Sequence, residues 1–354
     1  MLSELALRTL SKLPAERAHR IAIWALARGL VHVSARLPKK SLETTVLGMR
    51  FPNPIGMAAG FDKNAETADA LLGVGAGFVE IGAVTPRPQA GNPQPRLFRL
   101  VKDRAIINRL GFNNDGMDAI GDRLRSRRHK PGVVGVNMGA NKNAVDRMAD
   151  YESVLRRLWG LADFFTVNLS SPNTSQLRDL QGKDALEPLL KRLISARDAM
   201  ADEACVEATP LLVKIAPDLT EAEIDAIADT CVETKIDGII ATNTTIARPA
   251  TLLSAKAQET GGLSGAPLFA ASTAVLRRFH QRTGGEIPLI GVGGVSSADE
   301  AYAKIRAGAS LVQLYTAFVF QGPEIFNRLQ DDLAALLHRD GFECVSDAVG
   351  ADNT

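Results

Sequence analysis

The chain of 354 residues carries 41 Lys and Arg against 40 Asp and Glu, a formal charge of +1, which excludes nucleic acid as a partner for the chain as a whole. With 45% hydrophobic and 23% charged residues it can bury a large core, so disorder is excluded as its main state. Its three cysteines, Cys205, Cys231 and Cys344, form no C-x-x-C, which fits a reducing compartment and excludes a zinc site built on them.

Residues 1–40 stand apart from the rest. They hold eight basic residues (Arg8, Lys12, Arg17, Arg20, Arg28, Arg36, Lys39, Lys40) against Glu4 and Glu16, with Leu2, Leu5, Leu10, Leu13 and then Ile21, Trp24 and Leu26 at helical spacing. Pro14 divides two amphipathic segments, and the charges break any apolar stretch of the kind that export needs. The longest uncharged runs, 260–276 and 307–323, are interrupted by Gly and are too short to suggest a membrane span. Residues 1–40 therefore read as a small N-terminal helical extension. It is either packed on the main domain, 41–354, or serves as a basic amphipathic anchor on an anionic membrane surface.

From residue 53 onward, eight short apolar runs alternate with helical patterns: 55–59, 78–81, 133–136, 164–167, 211–215, 238–241, 289–292 and 311–314. The runs are continuously apolar rather than alternating, as parallel strands covered on both faces are. The helical stretches carry start signals, such as Thr220 and Glu223 in a capping-box pattern ahead of Ile224, Ile227 and Ala228. Eight βα units predict an α/β fold of the (β/α)8 TIM-barrel type; an open doubly wound sheet is the alternative. Two connections are long, 86–115 after the second strand and 170–186 after the fourth. Both leave strand C-termini, the barrel face that carries chemistry.

The residues after each strand are Gly60 with Asp62 and Lys63; Ala83 and Thr85; Asn137; Asn168 with Ser170 and Ser171; Lys214 within the fifth run; Thr242, Asn243 and Thr244; Gly293 and Gly294; Tyr315 and Thr316. A ring of amides, hydroxyls and glycines with two lysines suits a planar, hydrogen-bonding anionic cofactor better than a metal, which needs carboxylates or histidines. None of the five histidines follows a strand, and G-x-S-x-G is absent, so Ser171 has no histidine base of hydrolase type. The glycines at 291, 293 and 294, with Tyr315 and Thr316, occupy the position where this barrel type binds phosphate, and a Rossmann fingerprint is not met. Lys63 and Lys214 follow strands on opposite sides of the barrel. One can hold a substrate carboxylate while the other stabilises negative charge on a flavin or forms a Schiff base.

The stretches AAGFDKN (58–64), EIGAVTPRPQ (80–89), NRLGFNN (108–114), NLSSPNT (168–174), ATNTT (241–245) and GGLSG (261–265) together resemble the dihydroorotate dehydrogenases of the quinone-linked class 2, from Pro14 to about Pro323. The resemblance implies FMN held by Ala59, Gly60, Phe61, Asp62, Lys63, Ala83, Asn137, Asn168, Lys214, Thr242, Gly265, Gly294, Tyr315 and Thr316. It implies dihydroorotate held by Lys63, Asn108, Arg109, Leu110, Gly111, Phe112, Asn168, Asn173, Asn243 and Thr244. Ser171 stands where the family has its catalytic base; class 1 members carry cysteine there. In this reading Ser171 takes a proton from ring C5 while the C6 hydride goes to flavin N5, and His19, Arg99 and Tyr315 lie near the path of a membrane quinone. Position 83 is usually a threonine in the family, and Ala83 has no hydroxyl to offer. A monomer is implied, peripheral on the cytoplasmic side of the cell inner membrane, with no metal. Rival readings are an aldolase-type lyase using Lys214, a membrane-attached barrel that binds a nucleotide without turnover, and a class 1 enzyme, which Ser171 and the basic extension oppose.

Overall fold

The computed structural model describes residues 9–33, 36–170 and 181–353. The eight apolar runs form one closed, all-parallel barrel. Its strands are β3 (Ile55–Met57), β4 (Phe78–Val84), β7 (Val133–Met138), β8 (Phe164–Asn168), β9 (Leu211–Ile215), β10 (Gly238–Ala241), β12 (Leu289–Val292) and β13 (Ala309–Leu314), paired in that order and closed by β13 on β3. Nearly every strand residue is buried, because helices cover the outside and side chains fill the inside. The covering helices in chain order are α2 (Ala68–Gly73), α3 (Gly116–Ser126), α4 (Arg147–Leu158), α5 (Lys183–Ala204), α6 (Glu221–Thr234), α7 (Phe269–Arg282), α8 (Ala298–Arg306), α9 (Thr316–Gln321) and α10 (Ile325–Arg339). The capping box expected at Thr220 and Glu223 opens α6, and a second, Ser297 with Glu300, opens α8.

The bottom of the barrel is closed by a hairpin that the run-counting missed, β1 (Thr44–Val46) and β2 (Met49–Phe51). Its Phe51 lies edge-on to Phe78, with ring centroids 5.4 Å apart, and Phe78 meets Phe164 at 6.4 Å. Each such buried ring contributes about 2 kcal/mol of apolar burial. Two strand glycines make room: a Cβ on Gly56 would stand 2.5 Å from the Phe78 ring, and one on Gly135 would stand 2.1 Å from Phe164.

The long connection after β4 is not an irregular loop. It contains β5 (Leu97–Leu100) and β6 (Ala105–Asn108), which with β11 (Gly262–Gly265) make a three-stranded antiparallel sheet. A small core of its own, including Phe98, Leu100, Ile107 and Leu263, holds this sheet together. The N-terminal extension provides α1 (Ala15–Ala27), which starts directly after Pro14 and packs on β5. The connection after β8 lies mostly outside the described residues, and with it Ser171 and Asn173.

Candidate active site

One cleft opens at the C-terminal ends of the barrel strands, roofed by the β5–β6–β11 sheet. All eight strand ends reach it: Ala59, Gly60 and Lys63 after β3, Ala83 on β4, Asn137 on β7, Asn168 on β8, Lys214 on β9, Thr242 to Thr244 after β10, Gly293 and Gly294 after β12, and Tyr315 and Thr316 after β13. The roof adds Asn108 and Leu110 to Phe112 from one side and Gly265 from the other.

Its floor is a hydrogen-bond network centred on a residue that the strand-end reading passed over. Glu80, in the middle of β4, has no exposed surface; it accepts from Asn137 Nδ2 at 2.7 Å and Gln313 Nε2 at 2.9 Å, and Lys214 Nζ lies 3.9 Å away. Asn137 Oδ1 accepts from Asn168 Nδ2 at 2.9 Å, and Asn168 Oδ1 accepts from Asn243 Nδ2 at 3.2 Å. Asn243 also donates to Ser170 Oγ at 3.0 Å, and that hydroxyl donates to the Lys214 carbonyl at 2.9 Å. Since a carboxylate can only accept, Glu80 fixes which way the Asn137 and Gln313 amides point, and Asn137 then orients Asn168. An acid inside a continuously apolar parallel strand was the available signal for Glu80.

The two lysines differ in setting. Lys214 is buried beside Glu80, whereas Lys63 is half-buried with no carboxylate within 4.0 Å among the described residues. Burial pushes the Lys63 ammonium down to about 8, against the pull of Glu16 and Asp62. Its Nζ lies 3.2 Å from His19 Nε2, and burial together with the Lys63 charge holds His19 well below its ordinary value, so His19 is the neutral acceptor.

A family profile described as Dihydroorotate dehydrogenase matches residues 41–337. The chain belongs to the dihydroorotate dehydrogenase family. It is 53% identical over 348 residues, 98% of each chain, to a Parvibaculum lavamentivorans protein named Dihydroorotate dehydrogenase (quinone), and 53% identical over 334 residues to one of the same name from Brucella anthropi, covering 94% of this chain and 91% of the relative. The crystal structure of the Eimeria tenella dihydroorotate dehydrogenase in complex with ferulenol superposes with a TM-score of 0.92 at 41% identity, covering 96% of this chain and 95% of that one.

Three residues of the dihydroorotate dehydrogenase pattern stand behind the cleft rather than on its wall. Phe61 is buried between His19, Tyr315 and Phe318, with centroids 5.3, 5.8 and 5.0 Å away. Asp62 spends its carboxylate on the backbone N–H groups of Asn64, Glu66 and Thr67, at 3.3, 2.9 and 2.7 Å. Arg109 turns outward to Glu259 at 2.8 Å and stacks over Phe98 at 4.4 Å. His19 and Tyr315 are brought together through Phe61. Arg99 instead meets the segment ahead of α1, donating to the carbonyls of Leu10 and Leu13. Among the described residues no helix is long and apolar enough to cross a membrane, and no cluster of three metal-ligating side chains occurs.

Proposed function

We propose that this chain oxidises (S)-dihydroorotate to orotate in pyrimidine biosynthesis, with FMN as its bound flavin and a membrane quinone as the final acceptor. The observation that carries this reading is the amide and lysine floor at the strand ends, in a chain whose relatives at 53% identity are named quinone dihydroorotate dehydrogenases.

The residues present fit such a cofactor. Gly265 and Gly294 have φ of 97° and 80°, and a Cβ there would meet backbone at 2.3 and 2.5 Å, so both bring bare backbone to the wall where a phosphate can take N–H groups. Gln313, also on the wall, has its Oε1 buried without a partner while its Nε2 is held by Glu80, which leaves an acceptor for a ring N–H. Bound in the cleft, the flavin supplies the two-electron acceptor and the onward path to quinone.

The chain's own part is binding, orientation and one proton transfer. Lys63 holds the substrate carboxylate. Asn108, Asn168, Asn173, Asn243 and Thr244 match the carbonyl and N–H edges of its ring. Ser171, on the connection after β8, takes the C5 proton, and Lys214 places positive charge by the cofactor. Residues 1–40, with His19, Arg99 and Tyr315 at their inner edge, form the quinone approach and a peripheral attachment to the cytoplasmic face of the inner membrane, by a monomer.

An anaerobic titration tests the reading. Dihydroorotate should bleach the bound flavin and a short-chain quinone should restore it; a yellow protein that dihydroorotate does not bleach would remove the activity. Ser171→Ala should keep its flavin and be bleached about 100-fold or more slowly, and bleaching at the unaltered rate would take Ser171 out of the base role.

A further inference from the structure

Beneath the glycine turn after β12 lies a lysine with no part in the chemistry above. Lys304, on α8, has no exposed surface, and its Nζ donates to Ser272 Oγ at 2.9 Å and Thr273 Oγ1 at 3.0 Å. Among the described residues no carboxylate lies within 4.0 Å of it. Glu300, one turn earlier on α8, gives its carboxylate to the N–H groups of Ser296 and Ser297 and to the Ser296 hydroxyl. The remaining close neighbour is the Phe269 ring, its centroid 5.3 Å from Nζ.

The surroundings make this a cation without its anion. Ser272 closes the first turn of α7 and Thr273 opens the second, so the ammonium sits near that helix's positive end, where a cation is disfavoured. α6 and α8 each begin with a capping box and acids in the first turn, whereas α7 has no capping side chain and no acid there. A desolvated ammonium costs several kcal/mol unless an anion offsets it, and burial pushes Lys304 down to about 7.

The glycine turn is laid directly on this layer. A Cβ on Gly291 would come within 3.1 Å of Lys304 Cδ, one on Gly293 within 2.7 Å of Ser272 Oγ, and one on Gly294 within 2.6 Å of Phe269 N. Ser272 Oγ, which accepts from Lys304, has its single proton between the Gly293 carbonyl at 3.0 Å and the Phe269 carbonyl at 3.1 Å. Gly293 and Gly294 line the cleft and Lys304 does not, so one hydroxyl separates the buried charge from the turn.

We propose that Lys304 is a positioning residue for the flavin phosphate: through Ser272 it sets the Gly293–Gly294 turn and stands behind it as the counter-charge, so that the cleft discriminates FMN from riboflavin. This rests on the FMN reading above. It explains why a fully buried lysine is kept between α7 and α8, where a methionine would fill the space without the desolvation cost.

The test uses the full-length chain, stripped of flavin and titrated with FMN and with riboflavin by fluorescence, alongside melting of the flavin-free protein. Lys304→Met should weaken FMN binding by about tenfold or more, the worth of a charge-assisted interaction. Its riboflavin binding should match the unaltered chain, and its flavin-free melting temperature should not fall. Ser272→Ala, which keeps the lysine and cuts its link to Gly293, should show a smaller loss confined to FMN, and it decides the matter alone if Lys304→Met does not fold. An equal loss of both flavins, or unchanged FMN affinity with a lower melting temperature, would make Lys304 a structural residue and overturn the proposal. Failure of the FMN reading looks different: the unaltered chain would then bind riboflavin as tightly as FMN.

Discussion

Glu80 shows what a single buried charge can organise. Replaced by glutamine, position 80 would put an NH2 group among the Asn137 and Gln313 amide donors and the Lys214 ammonium, so one donor must lose its acceptor. Leaving a buried donor unpaired costs about 1–3 kcal/mol, which in a chain of 354 residues lowers Tm by roughly 1–2 °C per kcal/mol. Glu80→Gln should therefore melt earlier and also reduce its flavin more slowly with dihydroorotate, because Asn137 no longer holds Asn168; an unchanged melt and rate would deny Glu80 this role. Lys63 predicts a pH effect. Its folded pKa of about 8 means that the ammonium is present below that pH and lost above it. On the proposed reading kcat/KM for dihydroorotate should be flat up to about pH 8 on this account, and should then fall about tenfold per pH unit as the carboxylate loses its partner. Lys63→Arg, whose guanidinium stays charged, should move that descending limb upward; a limb that stays in place belongs to another group.

At the scale of elements, α1 carries two distinct faces. Its inner face is fixed by Glu16 to Arg96 at 2.6 Å and by His19 to Lys63, so cutting the helix away would disturb the cleft itself. Its outer face leaves Ile21 and Trp24 44% and 49% exposed, with Arg28 stacked 4.5 Å over the Trp24 ring. Ile21→Asp with Trp24→Asp should remove the salt-resistant part of the binding to phospholipid vesicles and slow quinone reduction, while dihydroorotate still bleaches the flavin at the unaltered rate; equal losses in both half-reactions would make the face structural. The eight barrel strands were legible because each is a short, mainly apolar run, broken only by single residues such as Glu80, Lys214 and Gln313, and seven of the eight strand ends drew attention through their amides, hydroxyls or glycines. The added sheets were not legible, for local reasons. The turn between β5 and β6 passes through Arg104 at φ 46° and holds no glycine or asparagine, while the hairpin at the barrel bottom turns at Leu47-Gly48, with φ of 55° and 73°, where a glycine without a preceding Asn, Asp or Gly is a weak turn signal. β11 pairs with β6 across more than 150 residues, Gly262 opposite Asn108, a contact that no local pattern encodes. Glu80 and Gln313 sit inside the apolar runs 78–81 and 311–314, where their neighbours hide them, and nothing local in the sequence marks Lys304 as buried.

For the molecule as a whole, the near-neutral total conceals a separation of charge, +6 in residues 1–40 against −5 in the remainder. The structure divides that positive charge further. Lys39 and Arg36 turn back to Asp331 on α10, at 3.1 and 3.8 Å, so they pin the extension to the barrel. Arg17 and Arg20 stay on α1, with Arg28 at its C-cap, on the element that also exposes Ile21 and Trp24. An interfacial helix gains from both terms, but salt weakens only the electrostatic one, since the screening length drops from about 10 Å at 0.1 M to about 3 Å at 1 M. Vesicles containing anionic lipid should therefore retain the chain strongly at low salt and only in part at 1 M, the remainder being the share owed to Ile21 and Trp24. Arg17→Glu with Arg20→Glu should remove the salt-sensitive part and leave the remainder, whereas Lys39→Glu should disturb the pairing with Asp331 and leave vesicle binding unaltered. If Lys39→Glu weakens binding as much as the α1 pair does, then the whole extension, and not α1 alone, faces the lipid, and the charge would act as a diffuse field instead of a defined face.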